Sequence, residues 1–139
     1  MIRLKDILNE SMSKNKVQDI IDRVFPQIVN DRGTGKKGVP KIKLHYDIYA
    51  RLSGDEDMRG EHSSTTKAQY DENTNIIYIY YPNMENEEDV LRALIHEYTH
   101  YKQDHKLFKK YKAMYSYDED PTEIEAKRNE EDWPLFTTN

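Results

Sequence analysis

The segment Leu94-Ile95-His96-Glu97-Tyr98-Thr99-His100 carries two imidazoles and a carboxylate in the spacing H-E-x-x-H. With five His and thirteen Glu in 139 residues, chance would supply this pattern roughly 0.02 times in such a chain. On a helix successive residues turn by about 100°, so His96 and His100 lie about 40° apart, one turn above the other. Two imidazoles so placed converge on one ion. Glu97 is rotated by about 100° from His96, so its carboxylate reaches a water on that ion more readily than the ion itself. A zinc ion brings the pKa of such a water toward about 7, where a carboxylate can take the proton and later return it to a leaving amine. Leu91, Leu94, Ile95 and Tyr98 fall on the other side of this helix, and burying them turns the histidines toward a cleft. Ala93, one turn before Glu97, keeps that side uncrowded. The competing reading is a helix whose exposed face holds these residues by coincidence. Rarity and the segregation of the two faces both argue against it.

Two histidines are one ligand short of a catalytic zinc site, which uses three protein ligands and leaves the fourth position to water. The chain has no cysteine, which excludes thiolate ligands and disulfides. His105 lies about 180° around the helix from His96, and His45 and His62 lie far upstream in a predicted strand and loop. The acidic residues of Pro121-Thr122-Glu123-Ile124-Glu125-Ala126 remain. A helix starting at Pro121 could return antiparallel and aim one carboxylate at the ion. Glu123 and Glu125 cannot both point there, being about 200° apart.

HEYTHYKQ followed some twenty residues later by PTEIEA resembles the small gluzincin metallopeptidases, minimal ones and relatives of the ImmA/IrrE type included. The resemblance spans residues 64–130, and HExxH is its specific part. It implies a zincin-like fold, a bound Zn2+, and hydrolysis of peptide bonds by a zinc-activated water with Glu97 as general base and acid. In ImmA/IrrE-like proteins the third ligand is the first Glu of an E-x-x-A pattern, which maps to Glu123. In thermolysin-like enzymes it directly precedes an Ala, which maps to Glu125. PxExEA matches the smaller enzymes better, so the implied ligands are His96, His100 and Glu123. The Asp that thermolysin-like enzymes carry four residues after the ligand is missing, because Lys127 or Asn129 stands there. The group that would orient a liganding histidine is therefore unassigned.

The same resemblance implies that the strand Thr65 to Tyr70 lines the cleft and pairs with an extended peptide or protein substrate, with Ile76 to Tyr81 behind it. Larger relatives add a Tyr or His that stabilises the tetrahedral intermediate. Tyr111, Tyr115 and Tyr117 lie where such a donor could come from, with plain packing as their competing role. The opening MIRLKDILNES resembles the starts of small proteins of large tailed phages, which would make this a phage-encoded protein of the host cytoplasm.

Several elements must position these residues. Residues 2–10 and 14–29 read as helical, with Val17, Ile20, Ile21, Val24, Phe25 and Ile28 on one face of the second. Pro26 predicts a kink or an early end there. GTGKKGVP lacks the spacing of a phosphate-binding loop and reads as a surface loop. Residues 41–52 alternate as one strand, 53–63 are polar, and TTKAQY-DENTN-IIYIYY reads as a hairpin closed by Pro82. A helix should run from Glu85–Glu88 to about Asp104, and another should start at Pro121. Trp133, Leu135 and Phe136 should anchor the tail. The order predicts an α+β, single-domain chain over 1–139 with an N-terminal helix, a small and mostly antiparallel sheet, the HExxH helix and a C-terminal ligand helix.

Composition narrows the function classes. Hydrophobic residues make up 36% and charged ones 34%, so the core must be small. Eleven Tyr against three Phe predict aromatic packing with a polar rim. No apolar run is long enough for a bilayer and the opening is too charged for a signal peptide, which predicts a cytoplasmic protein without membrane contact. A net charge of −5 argues against nucleic acid as a partner. The expectation is a zinc metallopeptidase. Its rivals are a non-catalytic zinc-binding regulatory or interaction module on the same fold, and a phage structural protein with an incidental motif. An intact Glu97 favours the enzyme, since binding alone does not need it.

Overall fold

The structure, a computed structural model, describes residues 12–53 and 65–136. The helix expected over 2–10, most of the polar stretch 53–63 and His62 lie outside the described residues.

Helix α1 (Lys14–Arg32) begins where the Ser13 side chain accepts a hydrogen bond from the Lys16 backbone N–H. It ends at Gly33, whose φ of 82° is open to a residue without a side chain. Val17, Ile20, Ile21, Val24 and Ile28 form its buried stripe, as their spacing predicts. Pro26 does not end this helix, so of the kink and the early end expected there the early end does not occur. The proline sits on the exposed side with Asp22, so the carbonyl that loses its donor four residues back can be solvated instead.

Strand β1 (Lys41–His45) is shorter than the strand predicted over 41–52, because the chain turns into helix α2 (Ile48–Ser53). Asp47 precedes that helix, a position Asp favours, and its carbonyl accepts from the Arg51 N–H. The hairpin forms as predicted from β2 (Ala68–Asp71) and β3 (Ile76–Tyr80). In its turn, Asp71 accepts from the Asn73 N–H, and Asn75 adopts a φ of 57° that Asn tolerates well.

The strand order is β1-β3-β2. The β1–β3 pair is parallel, from Lys41↔Ile76 to His45↔Tyr80, while β2 runs antiparallel to β3, from Ala68↔Ile79 to Asp71↔Ile76. The expectation of a mostly antiparallel sheet is thus corrected to a mixed one. Parallel partners need a crossover, and α2 together with β2 supplies the chain that returns β3 alongside β1. Central β3 is nearly all buried, and β2 forms an edge.

Helix α3 (Glu87–Lys102) carries the H-E-x-x-H segment. Asn86 caps it by accepting from the Asp89 N–H, and Glu87, Glu88 and Asp89 face its positive end. Two helices follow rather than one: α4 (His105–Met114), capped by Asp104, and α5 (Pro121–Asn129), capped by Asp120. The connection expected before Pro121 therefore has regular structure, although Phe108 is its only buried residue within α4. A 3-10 turn over Glu130–Leu135 closes the described chain. Phe136 is buried and Trp133 packs on the core, but Leu135 is exposed, so two of the three expected tail residues anchor it.

One cluster joins the α1 stripe, Ile77 and Ile79 of β3, and Leu91, Leu94, Ile95 and Tyr98 of α3. Its tyrosines keep their hydroxyls bonded. Tyr98 donates to the Gly33 carbonyl at 2.6 Å, and Tyr101 donates to that of Gly38 at 2.6 Å while accepting from the Gly35 N–H at 2.7 Å. The glycine-rich loop is thereby clamped to α3, and a Cβ at Gly35 would come within 3.3 Å of the Tyr101 hydroxyl. No helix among the described residues is long and apolar enough to cross a membrane. The architecture is α+β.

Asp120 is buried and accepts from both the N–H and the hydroxyl of Thr122, at 2.8 and 2.6 Å. Asp120→Ala should therefore cost about 1–2 kcal/mol of stability through the lost cap, read as a lower denaturation midpoint with an unchanged denaturant slope.

Candidate metal centre

The helical spacing of α3 places His96 and His100 as expected, with ring centroids 4.9 Å apart. Both are buried. Opposite them, α5 presents Glu123 from its first turn, where the positive end of the helix favours a carboxylate. Glu123 Oε1 lies 3.0 Å from His96 Nε2 and 2.9 Å from His100 Nε2. Glu125 points elsewhere. It is exposed and accepts from the Gln103 amide at 3.0 Å. The pattern Thr122, Glu123, Ala126 is the buried face of α5, which is why the choice between the two acids falls to Glu123. His45 packs beside Tyr78, and His105 lies against Lys37 Nζ and the Tyr70 ring; neither belongs to this group.

His96, His100 and Glu123 can each offer one ligand atom, all within 4.8 Å of one another. In a tetrahedral site with bonds of about 2.0–2.1 Å, ligand atoms stand about 3.3 Å apart. The observed 2.9 and 3.0 Å need only a few tenths of an ångström of opening, so the residues fit a small divalent cation.

The outer nitrogens explain why the inner ones are aimed so well. His96 Nδ1 is 2.6 Å from Glu130 Oε2, and His100 Nδ1 is 2.7 Å from Gln103 Oε1. An acceptor at Nδ1 holds the proton there and leaves Nε2 free to ligate. These two partners were unassigned from the sequence. Glu130 lies seven residues after Glu123, two turns along the same face, a spacing that could have been tested. Gln103 follows the helix end, where no period applies.

Glu123 Oε2, the second oxygen, accepts from Lys112 Nζ at 2.9 Å, and Lys112 comes from α4. Burial alone would favour the neutral acid, but the bonds to His100, His96 and Lys112 outweigh it and hold Glu123 far below the usual carboxylate range. Burial likewise opposes charge on His96, yet the carboxylates of Glu123 and Glu130 win and raise its pKa to about 10.

Glu97 is buried beside the same cleft, near the Tyr70 main chain, which favours its charged form. Burial raises its pKa, opposed by the two histidines. The cleft has a volume of about 780 Å³ and is lined by β2, by Ala93, by all four residues of the constellation and by Glu130. Among the three candidate tyrosines only Tyr117 lines it. Its pKa is held at about 12 by partial burial and by the carboxylates of Glu123, Glu97 and Glu130, so its hydroxyl stays a donor. Tyr111 and Tyr115 instead pack on each other, edge to face.

No family model matches this chain, and no curated protein or solved structure matches it either. Function must be argued from the site.

Glu130→Ala should lower metal affinity by about 10–100-fold, whereas Glu125→Ala should change it little; competition with a chromophoric chelator reads both. An ion entering this site must also displace the His96 proton, which the metal-free protein keeps below about 10. About one proton per ion should be released at neutral pH, and affinity should weaken as pH falls. Calorimetry in buffers of different ionisation enthalpy measures that release.

Proposed function

We propose that this protein is a zinc-dependent peptidase with His96, His100 and Glu123 as ligands. The observation that carries the reading is the convergence of three buried donors from two helices on one point, with Glu97 free of that point and facing the same cleft. Two imidazoles and one carboxylate are the donor set of a catalytic zinc site rather than of a closed structural one. Bound there, zinc would supply Lewis acidity to an attacking water and to the scissile carbonyl.

The rest of the chemistry belongs to the chain. Glu97 accepts the proton of the attacking water and delivers it to the leaving nitrogen. Burial supports this role, because a carboxylate whose pKa is raised is a better base near neutrality. Glu130 and Gln103 keep the imidazoles oriented through the cycle. Tyr117 is the donor in the cleft wall able to meet charge developing on the carbonyl oxygen. The edge of β2, unpaired among the described residues, offers main-chain groups to an extended peptide. Tyr70 and Ala68 of that strand pack on the core with the helix that carries Glu97, which sets the edge beside the base.

Glu97→Gln preserves size and polarity but cannot accept a proton. Zinc content and thermal stability should stay near wild type, while peptide hydrolysis drops by about 10²-fold or more. Equal cleavage by both proteins would overturn the role of Glu97, and zinc binding without cleavage by either would remove the enzyme reading.

A further inference from the structure

The cleft is not confined to the face of the sheet that carries the metal centre. Along β2, Ala68 and Tyr70 turn toward the core beside α3, while Gln69 turns to the opposite face. The cleft is lined from both sides of this edge: His96 and Glu97 on one, Arg51, Gln69 and Tyr78 on the other. An extended peptide paired with β2 alternates its side chains in the same way. Every second side chain would therefore meet the Arg51 side.

Arg51 is unlike the other cations of the cleft. Lys67 pairs with Asp89 at 3.1 Å, Arg92 with Glu88 at 2.8 Å and Lys112 with Glu123 at 2.9 Å. Arg51 is held by neutral groups instead. Its Nε donates to the Tyr80 hydroxyl at 2.9 Å, Nη2 donates to Gln69 Oε1 at 3.3 Å, and the guanidinium stacks 4.2 Å from the centroid of the Tyr78 ring. The Tyr80 hydroxyl in turn donates to Gln69 Oε1 at 2.7 Å, closing a ring of three side chains. No carboxylate pairs with Arg51 among the described residues. The result is a guanidinium with a fixed position, a charge uncompensated among the described residues and N–H donors to spare, the arrangement that recognises a carboxylate.

We propose that Arg51 is a specificity determinant that selects an Asp or Glu side chain of a peptide lying along β2. The inference rests on the peptidase reading for the course of the peptide, and it adds the substrate class: acidic segments in extended conformation. The net charge of −5 would by itself disfavour such segments, so a fixed local cation is what their recognition requires.

The test uses zinc-loaded protein and short unstructured peptides identical except for Asp, Glu, Ala or Lys at one position scanned along the sequence. Wild type should cleave the best-placed acidic peptide with a kcat/KM roughly tenfold or more above its Lys counterpart, the range of one charge-assisted hydrogen bond. Arg51→Lys should retain the order and Arg51→Glu should invert it, with zinc content and circular dichroism confirming that each variant is folded. Binding of the same peptides to Glu97→Gln, with and without Arg51→Glu, is followed by fluorescence anisotropy. Cleavage with no acidic preference, or with a preference that Arg51→Glu leaves intact, overturns the role of Arg51 and spares the peptidase. If wild type cleaves none of the peptides, the peptidase reading falls and the binding order decides: tighter acidic peptides that lose their advantage in Arg51→Glu support the selection, and equal binding overturns it.

Discussion

A carboxylate can be buried against two imidazoles only if charge and hydrogen bonds replace the water it loses, and the rest of the molecule is arranged around that condition at Glu123. Its two oxygens are met by His96, His100 and Lys112, and the first turn of α5 adds the positive end of a helix. Glu130 and Gln103 complete the network behind the imidazoles. Such a network is costly when half satisfied. It therefore couples the docking of α4 and α5 on α3 to the integrity of the site: each of the three helices contributes a member whose loss strands the others. An ion bound here would replace the proton on His96 as the charge that satisfies Glu123, with little rearrangement of the donors.

Holding α3 still is the task of the apolar side. Its stripe is buried against α1 and the sheet, and Tyr98 and Tyr101 tie it to the 33–38 loop through their hydroxyls. Amphipathic aromatics suit a small chain that is 34% charged, because each buries a ring and satisfies a backbone group at once. The edge strand is linked to the same helix through Tyr70, which lies in the shared core with its ring against that of Tyr101. Glu97, the proposed peptide course and the candidate metal ligands thus share one frame. Arg51 is mounted on the other face of the sheet by an independent set of neutral contacts, so the proposed selection and the proposed chemistry rest on separate supports.

Local sequence alone determined a good deal. The buried stripe of α1, the hairpin with its Asp and Asn turn, the capped start of α3 and the pairing of His96 with His100 all depend on residues within a few positions of one another, where helical and strand periods act directly. The break at Tyr46-Asp47 and the continuation of α1 past Pro26 were less legible. The first sets a local start signal against an alternating pattern, and the second depends on which side of the helix meets water. The parallel β1–β3 pairing and the helix over His105–Met114 lay beyond local pattern, since one is fixed by how the chain returns and the other has a single buried residue in α4 to mark it.

The candidate metal site divides along the same line. H-E-x-x-H spans one helical turn, so its geometry follows from the helix itself. The choice of Glu123 over Glu125, and the partners Glu130, Gln103 and Lys112, rest on how α4 and α5 dock against α3. Arg51 gives the clearest case: in sequence it is one cation among 21 Lys and Arg. Only tertiary packing sets it over Tyr78 beside Gln69 while giving its three neighbours in the cleft carboxylate partners. Charge compensation is a property of what surrounds a group in space, and no spacing along the chain encodes it.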